Sequence, residues 1–433
     1  MSDATNDSSP SAPSRRRFLA QSGTSAVAAA VGMGGALQAS AQVAPAVSAA
    51  PASKGLPPNV PAWTRSLGEP TATPYGKPSS HEVAAVRKMY PGLTEPMSAY
   101  SVTPLQELDG IITPNGLHYE RHHAGVPQID PAQHRLIIHG LTERELIFTM
   151  EEIRQFPSVS RIYFLECSGN PIFVPPYGKT AAEVTGLVSG AQWTGVPLKT
   201  LLHHVGLKKG AKWVVAEGAD GAAMTRSIPI EKCLDDVLVA FSQNGERLRP
   251  EQGYPLRLFV PGYEGNMSIK WLRRLQVTDQ PAYSKEETSK YTDLMADGRA
   301  RKFSFVMEAK SIITSPSGTQ KLTRKGSHEL RGIAWSGHGK IRSVDVSVDG
   351  GRNWQEATLD APVLSKALTS FRAPFEWNGE ELMLMSRAVD ETGYVQPTLA
   401  QLIAVRGKFS TYHNNAIQPW RVAASGEVTN GRV

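Results

Sequence analysis

The stretch AWSGHGKIRSVDVSVDGGRNW, residues 334–354, gives the clearest indication of the fold. Within it, apolar and polar side chains alternate: Val344, Val346 and Val348 are separated by Asp345, Ser347 and Asp349. A period of two residues is typical of a strand with one buried face, and the following Gly350-Gly351 favours a hairpin turn. Glu381 to Val389 and Leu399 to Val405 are predicted to be strands of the same kind. From about Met307 onward the sequence therefore predicts an immunoglobulin-like β-sandwich.

Upstream of the sandwich, from about Ile111 to Val277, the pattern is mixed. Short apolar runs alternate with Gly/Pro turns, and two short helices are predicted, Leu198 to Val205 and Ile230 to Phe241. Repeated strand–helix–strand units are absent from the pattern, so the predicted fold class is α+β. Residues 42–105 are rich in Pro, Ala and Ser, and they are predicted to form an extended N-terminal arm that packs over a neighbouring surface.

The first residues have the pattern of an export signal. Ser14-Arg15-Arg16-Arg17-Phe18-Leu19 precedes a weakly apolar stretch from Ala26 to Leu37, and Ala39-Ser40-Ala41 supplies a cleavage site. This order predicts a twin-arginine signal peptide over residues 1–41, with a disordered basic tail as the alternative. A membrane helix needs about 20 strongly apolar residues, so no membrane span is expected in the mature chain. The twin-arginine route carries folded proteins and predicts a periplasmic location.

Charge excludes one class of partner. The formal net charge of +6 falls to +5 when the three Arg and two Asp of residues 1–41 are removed. The remaining charges are interleaved rather than bunched, so nothing points to a nucleic acid. A mild basic excess is compatible with an anionic substrate or an acidic partner, and equally with an ordinary solvated surface.

The chain has only two cysteines, Cys167 and Cys233. A disulfide between them would be the default in an oxidising compartment. However, Cys167 ends the apolar run Tyr163-Phe164-Leu165-Glu166, directly before Ser168-Gly169-Asn170-Pro171, and sites are commonly built where a buried strand breaks in this way. Cys233 follows Ile228-Pro229-Ile230 at a predicted helix start and has the pattern of a small core residue. These positions favour a functional site at Cys167 over a disulfide with Cys233.

Several residues that could bind an anion occur around Cys167 in the mixed part. They are Tyr119-Glu120-Arg121-His122-His123, Asp220, Arg257 and Lys270. Arg and Lys at strand ends bind phosphates and oxyanions through charge-assisted hydrogen bonds. Each residue alone is more often a solvated charge or a local salt bridge, so the prediction depends on the whole set.

Taken together, these segments resemble the sulfite oxidase family of molybdenum-cofactor enzymes, from about residue 110 to 420. The segments that carry the resemblance are YERHHAGVP at 119–127, FLECSGN at 164–170, AQWTGVPLKTLL at 191–202, RSIPIEK at 226–232, GYPLRLFVPGYEGNMSIKWLRRLQV at 253–277, and the stretch 334–354. The resemblance implies a molybdopterin domain over residues 106–285, an immunoglobulin-like dimerisation domain over 300–415 and a C-terminal tail over 416–433.

The resemblance also implies a role for individual residues. Cys167 would be the protein thiolate on molybdenum, beside two pterin dithiolene sulfurs and oxo groups. Tyr291 would stand near the equatorial oxo group of the metal, and Arg121 and Arg406 would attract the substrate anion. The residues that would hold the pterin and its phosphate are Tyr119, Arg121, His122, His123, Asp220, Gln252, Arg257, Ser268, Ile269 and Lys270.

Two positions depart from the family pattern. A substrate arginine that follows the Cys-x-Gly-Asn motif in the family is replaced here by Pro171-Ile172. Because a charge-assisted hydrogen bond contributes about 1.5–3 kcal/mol, free sulfite is expected to bind about 10- to 100-fold less well. A cofactor-binding histidine is replaced by Gln252, which is a mild change because Gln still donates a hydrogen bond.

Within the family, these features resemble most the sulfane dehydrogenases, whose substrate is a sulfane sulfur on a cysteine of a carrier protein. The resemblance implies oxidation by oxygen-atom transfer from a Mo-oxo group, with water as the oxygen source. The chain lacks C-x-x-C-H and so is expected to carry no haem. A separate c-type cytochrome subunit would accept the electrons, in a heterotetramer built on a homodimer of this chain.

Three alternatives stay open. The first is a direct sulfite:cytochrome c dehydrogenase that acts on free sulfite. The second is a reductase of the same family that acts on an oxidised substrate such as methionine sulfoxide. The third, from a different class, is a noncatalytic periplasmic scaffold with a degenerate cofactor site.

Overall fold

The computed structural model describes residues 75–92, 97–170, 178–408 and 412–432. The predicted signal peptide, residues 1–41, and most of the predicted arm lie outside these residues. The chain divides into residues 1–77 and 78–433, and all the strands and helices below belong to the second unit.

The strands before the sandwich are short. In chain order they are β1 Lys88–Pro91, β2 Ala99–Val102, β3 Arg121–His122, β4 Arg135–Gly140, β5 Leu146–Thr149, β6 Val159–Glu166, β7 Val188–Pro197, β8 Trp213–Gly218, β9 Thr225–Pro229, β10 Leu238–Gln243, β11 Glu246–Arg247, β12 Arg257–Phe259, β13 Leu272–Thr278, β14 Asp293–Leu294 and β15 Ala300–Arg301. The helices are α1 Met150–Gln155, α2 Ala181–Thr185, α3 Leu198–Val205, α4 Ile230–Asp235, α5 Lys285–Thr288 and α6 Leu399–Arg406.

Two five-stranded sheets organise the mixed part. One has the order β11-β10-β7-β6 with β12 also paired to β10, and the other has the order β5-β4-β13-β8-β9, in which β4 and β13 are parallel. Helix α3 has the predicted bounds Leu198–Val205 and buries its four apolar side chains at positions one, four, five and eight. This spacing is that of one helix face, and the face packs into the core of the second sheet.

The C-terminal part contains two further sheets. Their strands are β16 Lys310–Ser315, β17 Gly326–Trp335, β18 Ile341–Ser347, β19 Gln355–Glu356, β20 Thr358–Leu359, β21 Thr369–Trp377, β22 Leu382–Asp390, β23 Trp420–Val422 and β24 Val428–Asn430. The sheets have the orders β16-β17-β21-β20 and β19-β18-β22-β23-β24. Their inner faces share one apolar core.

The alternation that predicted the sandwich is confirmed. Val344 and Val346 on β18 are 0% and 1% exposed and pack in the shared core with Trp335. The predicted hairpin pairs β18 with β19. Its turn needs glycine because Gly350 and Gly351 have φ of 76° and 87°. The α+β fold with a C-terminal sandwich is therefore confirmed.

Two secondary-structure predictions were wrong. Leu399 to Val405, predicted as a strand, lies in helix α6, which begins with a capping box between Thr398 and Gln401. Ile230 to Phe241, predicted as one helix, is helix α4 followed by the central strand β10. Periodicity alone does not separate a buried helix from a buried strand in a short, continuously apolar run.

The predicted ends of the mature chain also differ from the structure. Lys88–Pro91 and Ala99–Val102, both placed in an extended arm, form the antiparallel pair β1–β2, and β2 also pairs with β3. Residues 416–433, predicted as a tail, contribute β23 and β24 to the second sandwich sheet. Trp420 is 0% exposed and donates from Nε1 to the Ile313 carbonyl (3.0 Å), so this end of the chain is part of the core.

Among the helices of the described residues, none has the length and apolar character to cross a membrane.

Candidate active site

A cleft of about 650 Å³ opens in the mixed part of the fold. It is lined by Tyr119, Glu120, Arg121, His122, His123, Leu165, Cys167, Asp220, Met224, Gln252, Arg257, Gly265, Asn266, Ser268, Ile269, Lys270, Trp271 and Tyr291. Every residue predicted to bind the cofactor, the metal or the substrate belongs to this set except Arg406. Segments that are far apart in the chain, from Tyr119 to Tyr291, thus meet in one place.

Cys167 lies directly after β6, whose pairing with β7 fixes the position of its backbone. Its amide donates to the Leu187 carbonyl (3.0 Å). Burial raises the pKa of the Cys167 thiol, and this effect exceeds the opposing effects of the Gly169 amide and the Arg121 guanidinium. Because a metal ligand must be a thiolate, a metal that binds here displaces the thiol proton. Both cysteines are free thiols, and Cys233 is buried in the core as predicted.

A buried ion pair supports the strand that carries Cys167. Glu166 is 0% exposed, and its Oε1 accepts from Lys310 Nζ (2.7 Å) and Asn170 Nδ2 (3.0 Å). Its Oε2 accepts from Trp335 Nε1 (2.6 Å). Lys310 and Trp335 belong to the sandwich, so this carboxylate ties the floor of the cleft to the C-terminal part of the fold.

Two cations form one side of the cleft: Arg257, which is buried, and Lys270, which is partly exposed. Arg257 is 1% exposed and donates from Nη1 to the Gln252 carbonyl (2.9 Å) and from Nη2 to the Ser268 carbonyl (3.1 Å). Burial lowers its pKa to about 10. Lys270 donates to the Glu251 carbonyl (2.9 Å), and burial together with the neighbouring Arg257 lowers its pKa to about 7. Both cations are costly to bury, and a bound anion would offset that cost.

The side-chain amide of Gln252, predicted to donate to the cofactor, donates instead to a carbonyl of the protein. Its Nε2 donates to the Tyr119 carbonyl (2.8 Å), and its amide side chain supports the backbone around Tyr119. Ser268 Oγ accepts from the Val260 amide (3.0 Å), and Ile269 is 1% exposed. All three residues line the cleft, and the side-chain hydrogen bonds of Gln252 and Ser268 hold the wall in shape.

Asp220 and His122 are further buried polar groups of the cleft. Asp220 is 8% exposed and its Oδ1 accepts from the Met224 amide (3.3 Å). His122 Nδ1 lies 3.7 Å from Glu120 Oε2. Burial, with a smaller effect from Lys270, lowers the pKa of His122 to about 4, so its imidazole is neutral at neutral pH.

His123 and Tyr291 join two distant segments at the cleft. His123 Nε2 is 2.9 Å from Tyr291 Oη. Burial, followed by Arg121 and other cations, lowers the pKa of His123 to about 4, and burial raises the pKa of Tyr291. The neutral imidazole therefore accepts from the phenol. Arg121 Nη1 donates to Ser98 Oγ (3.2 Å) and to the His122 carbonyl, which holds the guanidinium at the edge of the cleft.

Arg406 does not line the cleft in this chain. It is the last residue of α6, is 5% exposed, and donates from Nη2 to Glu308 Oε1 (2.5 Å). Sequence reasoning placed it with the substrate-binding arginines because a charge in a short motif carries no information on its local partner. The segment with Pro171 and Ile172, where the family arginine is missing, lies outside the described residues.

A second buried network behind the cleft was not predicted. Glu264 Oε1 accepts from Arg226 Nη2 (3.0 Å), and Glu264 Oε2 accepts from Asn266 Nδ2 (2.9 Å) and lies 3.3 Å from His413 Nε2. Asn266 Nδ2 also donates to Ser168 Oγ (3.1 Å), next to Cys167. Arg226 lies over the Tyr291 ring, 5.4 Å from its centroid. The signal available in the sequence was the Glu264-Gly265-Asn266 turn.

The cleft has features that fit a bound molybdenum cofactor. Among the described residues, the buried His122 Nδ1 and Arg257 Nε have no hydrogen-bond partner. At Gly265, an added Cβ would lie 2.6 Å from the Glu166 carbonyl oxygen and 3.0 Å from Tyr119 Oη, so the wall leaves no room for a side chain there. Buried polar nitrogens without partners, in the same cleft as a thiol, suit a phosphate-bearing ligand with a soft metal.

Comparisons with known proteins agree with this geometry. The family described as the oxidoreductase molybdopterin binding domain matches residues 123–286, and the Mo-co oxidoreductase dimerisation domain matches residues 301–419. Sulfite oxidase from Gallus gallus is 32% identical, over 74% of this chain and 77% of that protein. NADH nitrate reductase from Solanum lycopersicum is 34% identical, over 69% of this chain but only 37% of that protein.

A solved structure resembles the chain over more of its length. The sulfane dehydrogenase SoxCD from Paracoccus pantotrophus contains a chain that is 46% identical, with a TM-score of 0.84, over 88% of this chain and 100% of that one. The range matched by the molybdopterin binding family contains Cys167, Arg257 and Lys270. The chain belongs to the sulfite oxidase family of molybdenum-cofactor oxidoreductases.

Proposed function

We propose that this protein is the molybdenum subunit of a periplasmic sulfane dehydrogenase, which oxidises a sulfane sulfur held on a cysteine of a carrier protein. The observation that carries the proposal is the cleft itself, where the Cys167 thiol lies beside the Arg121 guanidinium and the Tyr291–His123 pair. The likeness of the chain to the sulfane dehydrogenase structure supports a sulfane sulfur as the substrate. Direct oxidation of free sulfite is the alternative function that the experiment has to exclude.

The chain's own residues would hold the cofactor from two sides. Cys167 would supply a thiolate to the metal, and the Glu166–Lys310 pair would keep its strand in place. Arg257 and Lys270 would neutralise the cofactor phosphate, with Tyr119, His122 and the other predicted cofactor-binding residues completing the wall. When bound, the molybdenum cofactor supplies oxygen-atom transfer and accepts two electrons in each cycle.

The remaining side chains would orient the substrate. Arg121 would attract the anionic sulfur, since its guanidinium lies at the edge of the cleft. The phenol of Tyr291 stays protonated at neutral pH because burial raises its pKa, so it would take part in hydrogen bonds and would not act as a base. For each oxygen atom added to the sulfur, one water is consumed and two protons and two electrons are released. Arg406 would make no substrate contact within its own chain.

The assembly follows from the same proposal. A separate c-type cytochrome subunit would take the electrons, and two copies of this chain would associate through residues 301–419, which match a dimerisation family. The expected complex is a heterotetramer. Export in folded form rests on the twin-arginine pattern of residues 14–19, which lie outside the described residues.

The proposal is tested by comparing two substrates on molybdenum-loaded protein with ferricyanide as electron acceptor. A cysteine persulfide on a peptide should be oxidised with a kcat/KM at least about tenfold above that for free sulfite. The reverse preference would make the protein a direct sulfite dehydrogenase. Failure to oxidise either substrate at full molybdenum occupancy would favour the noncatalytic alternative.

A further inference from the structure

Residues 283–302 cross the surface next to the cleft. Most of their basic side chains are exposed, and most of their acidic side chains are buried. Four cations are exposed in this segment, and we call them the basic strip: Lys285, Lys290, Arg299 and Lys302. Three acidic residues of the segment point inward: Glu286, Glu287 and Asp293 are 9%, 0% and 3% exposed. The remaining acid, Asp297, is exposed but paired with Arg299 (2.6 Å). The outer surface of the segment is therefore positive.

Contacts within the protein explain why the acidic side chains of this segment are buried. Glu287 Oε2 accepts from Ser227 Oγ (3.1 Å), and the same carboxylate lies 3.8 Å from Arg226 Nε. Asp293 Oδ1 accepts from the Tyr412 amide (3.2 Å). The carboxylates of Glu287 and Asp293 thus hold the segment to the protein. The described residues offer no comparable internal acid for the ammonium groups of Lys285 and Lys290, so their charge faces solvent.

The basic strip is continuous with the cleft. Tyr291 follows Lys290 directly, and its hydroxyl binds His123 inside the cleft. A ligand that lies on the strip would therefore present its end to the substrate-binding residues.

Exposed apolar groups accompany these charges. Tyr283 is 50% exposed, and Lys302 Nζ lies 4.4 Å from the centre of its ring. Leu294 is 49% exposed. A cation held over an aromatic ring is restricted in position before any partner arrives, and mixed aromatic and cationic surfaces are typical of protein contacts. The strip thus combines charge with contact area.

We propose that the basic strip docks an acidic segment of the protein that carries the sulfane sulfur, and so selects the carrier as well as the sulfur. This inference rests on the proposed function above. Opposite charges across an interface raise the association rate by about 10- to 1000-fold at low salt, and the effect falls as salt screens them. Selection should therefore appear in kcat/KM and disappear at high ionic strength.

The test uses two synthetic peptides that end in Gly-Gly-Cys with the thiol converted to a persulfide. One peptide has Glu and Asp at its other positions, and its partner has Gln and Asn there. Molybdenum-loaded protein is assayed with ferricyanide at low and high NaCl. We expect the acidic peptide to have a kcat/KM about tenfold above that of the neutral peptide at low salt, with the ratio near one at high salt.

Matched variants locate the effect. Lys285→Glu combined with Lys290→Glu should bring the ratio of acidic to neutral peptide to one or below. Lys321→Glu combined with Lys325→Glu makes the same charge change at exposed sandwich positions, which do not line the cleft, and should keep the tenfold ratio.

The outcomes separate the two proposals. Equal oxidation of both peptides by the unmodified protein at low salt would overturn docking at the strip and leave the proposed function intact. An unchanged ratio in the Lys285/Lys290 variant would do the same. Oxidation of sulfite but of neither peptide would instead overturn the proposed function.

Discussion

Replacing Lys310 with Met should destabilise the protein more than any single surface change, because Glu166 would lose its only cationic partner among the described residues. The two side chains are 2% and 0% exposed, and their charged atoms are 2.7 Å apart. Lys310 Nζ also donates to the Asn170 carbonyl (2.6 Å). Met keeps the length and apolar body of the side chain, so the change removes chiefly the charge.

The magnitude follows from the burial of the pair. Removal of one partner of a buried ion pair costs about 3–5 kcal/mol, because the other charge is left without compensation. Trp335 and Asn170 would still donate to Glu166, which places the expected loss near the lower end, about 3 kcal/mol. Glu166→Gln combined with Lys310→Met leaves no buried charge at this pair and should recover at least about 1 kcal/mol of that loss.

The assay is urea unfolding followed by tryptophan fluorescence for the unmodified protein, both single variants and the double variant. Lys321→Met serves as the control, since Lys321 is exposed, and should change the free energy of unfolding by less than about 0.5 kcal/mol. A loss below about 1 kcal/mol for Lys310→Met, or a double variant no more stable than the worse single variant, would refute the role assigned to this pair.

Three further predictions concern the cleft. Tyr291→Phe removes the hydrogen bond to His123 and should lower kcat/KM about 5- to 10-fold with little change in molybdenum content, and an unchanged kcat/KM would contradict the role of the phenol. Arg257→Met should lower the molybdenum-to-protein ratio, measured by mass spectrometry of the metal in folded protein, and full occupancy would remove Arg257 from the phosphate site. Although burial opposes it, Arg226 and His413 lower the pKa of Glu264 from 4.5 to about 2. The ionised Glu264 therefore stabilises the folded protein by about 3 kcal/mol above pH 4.5, and this contribution is lost as the pH falls toward 2. The thermal unfolding temperature of Glu264→Gln should consequently depend less on pH in that range than the temperature of the unmodified protein. Parallel pH profiles of the two proteins would contradict this.

Local periodicity was informative where one face of an element is buried and the other is not. The alternation around Val344 predicted β18, and the spacing within Leu198–Val205 predicted α3 with its observed bounds. The family resemblance also located the cleft, since all but one of the predicted site residues line it. Patterns within a few residues and motifs of fixed composition can thus be read from the sequence alone.

The remaining features depend on contacts between distant residues. Leu399–Val405 is almost entirely apolar, so its composition does not distinguish the observed helix from a strand. Glu166 and Lys310 are 144 positions apart, and nothing in either local sequence indicates the pair. Arg406 illustrates the same limit, because its partner Glu308 lies 98 positions away and nothing in the local sequence indicates the contact.

The central claim, that Cys167 binds the metal, is tested most directly by molybdenum X-ray absorption on the loaded protein, its Cys167→Ser variant and a Cys233→Ser control. We predict three sulfur neighbours of molybdenum in the unmodified protein and in the control, and two in Cys167→Ser, because only the dithiolene sulfurs would remain. Three sulfur neighbours in Cys167→Ser would contradict the assignment of the thiolate and the proposed function that depends on it.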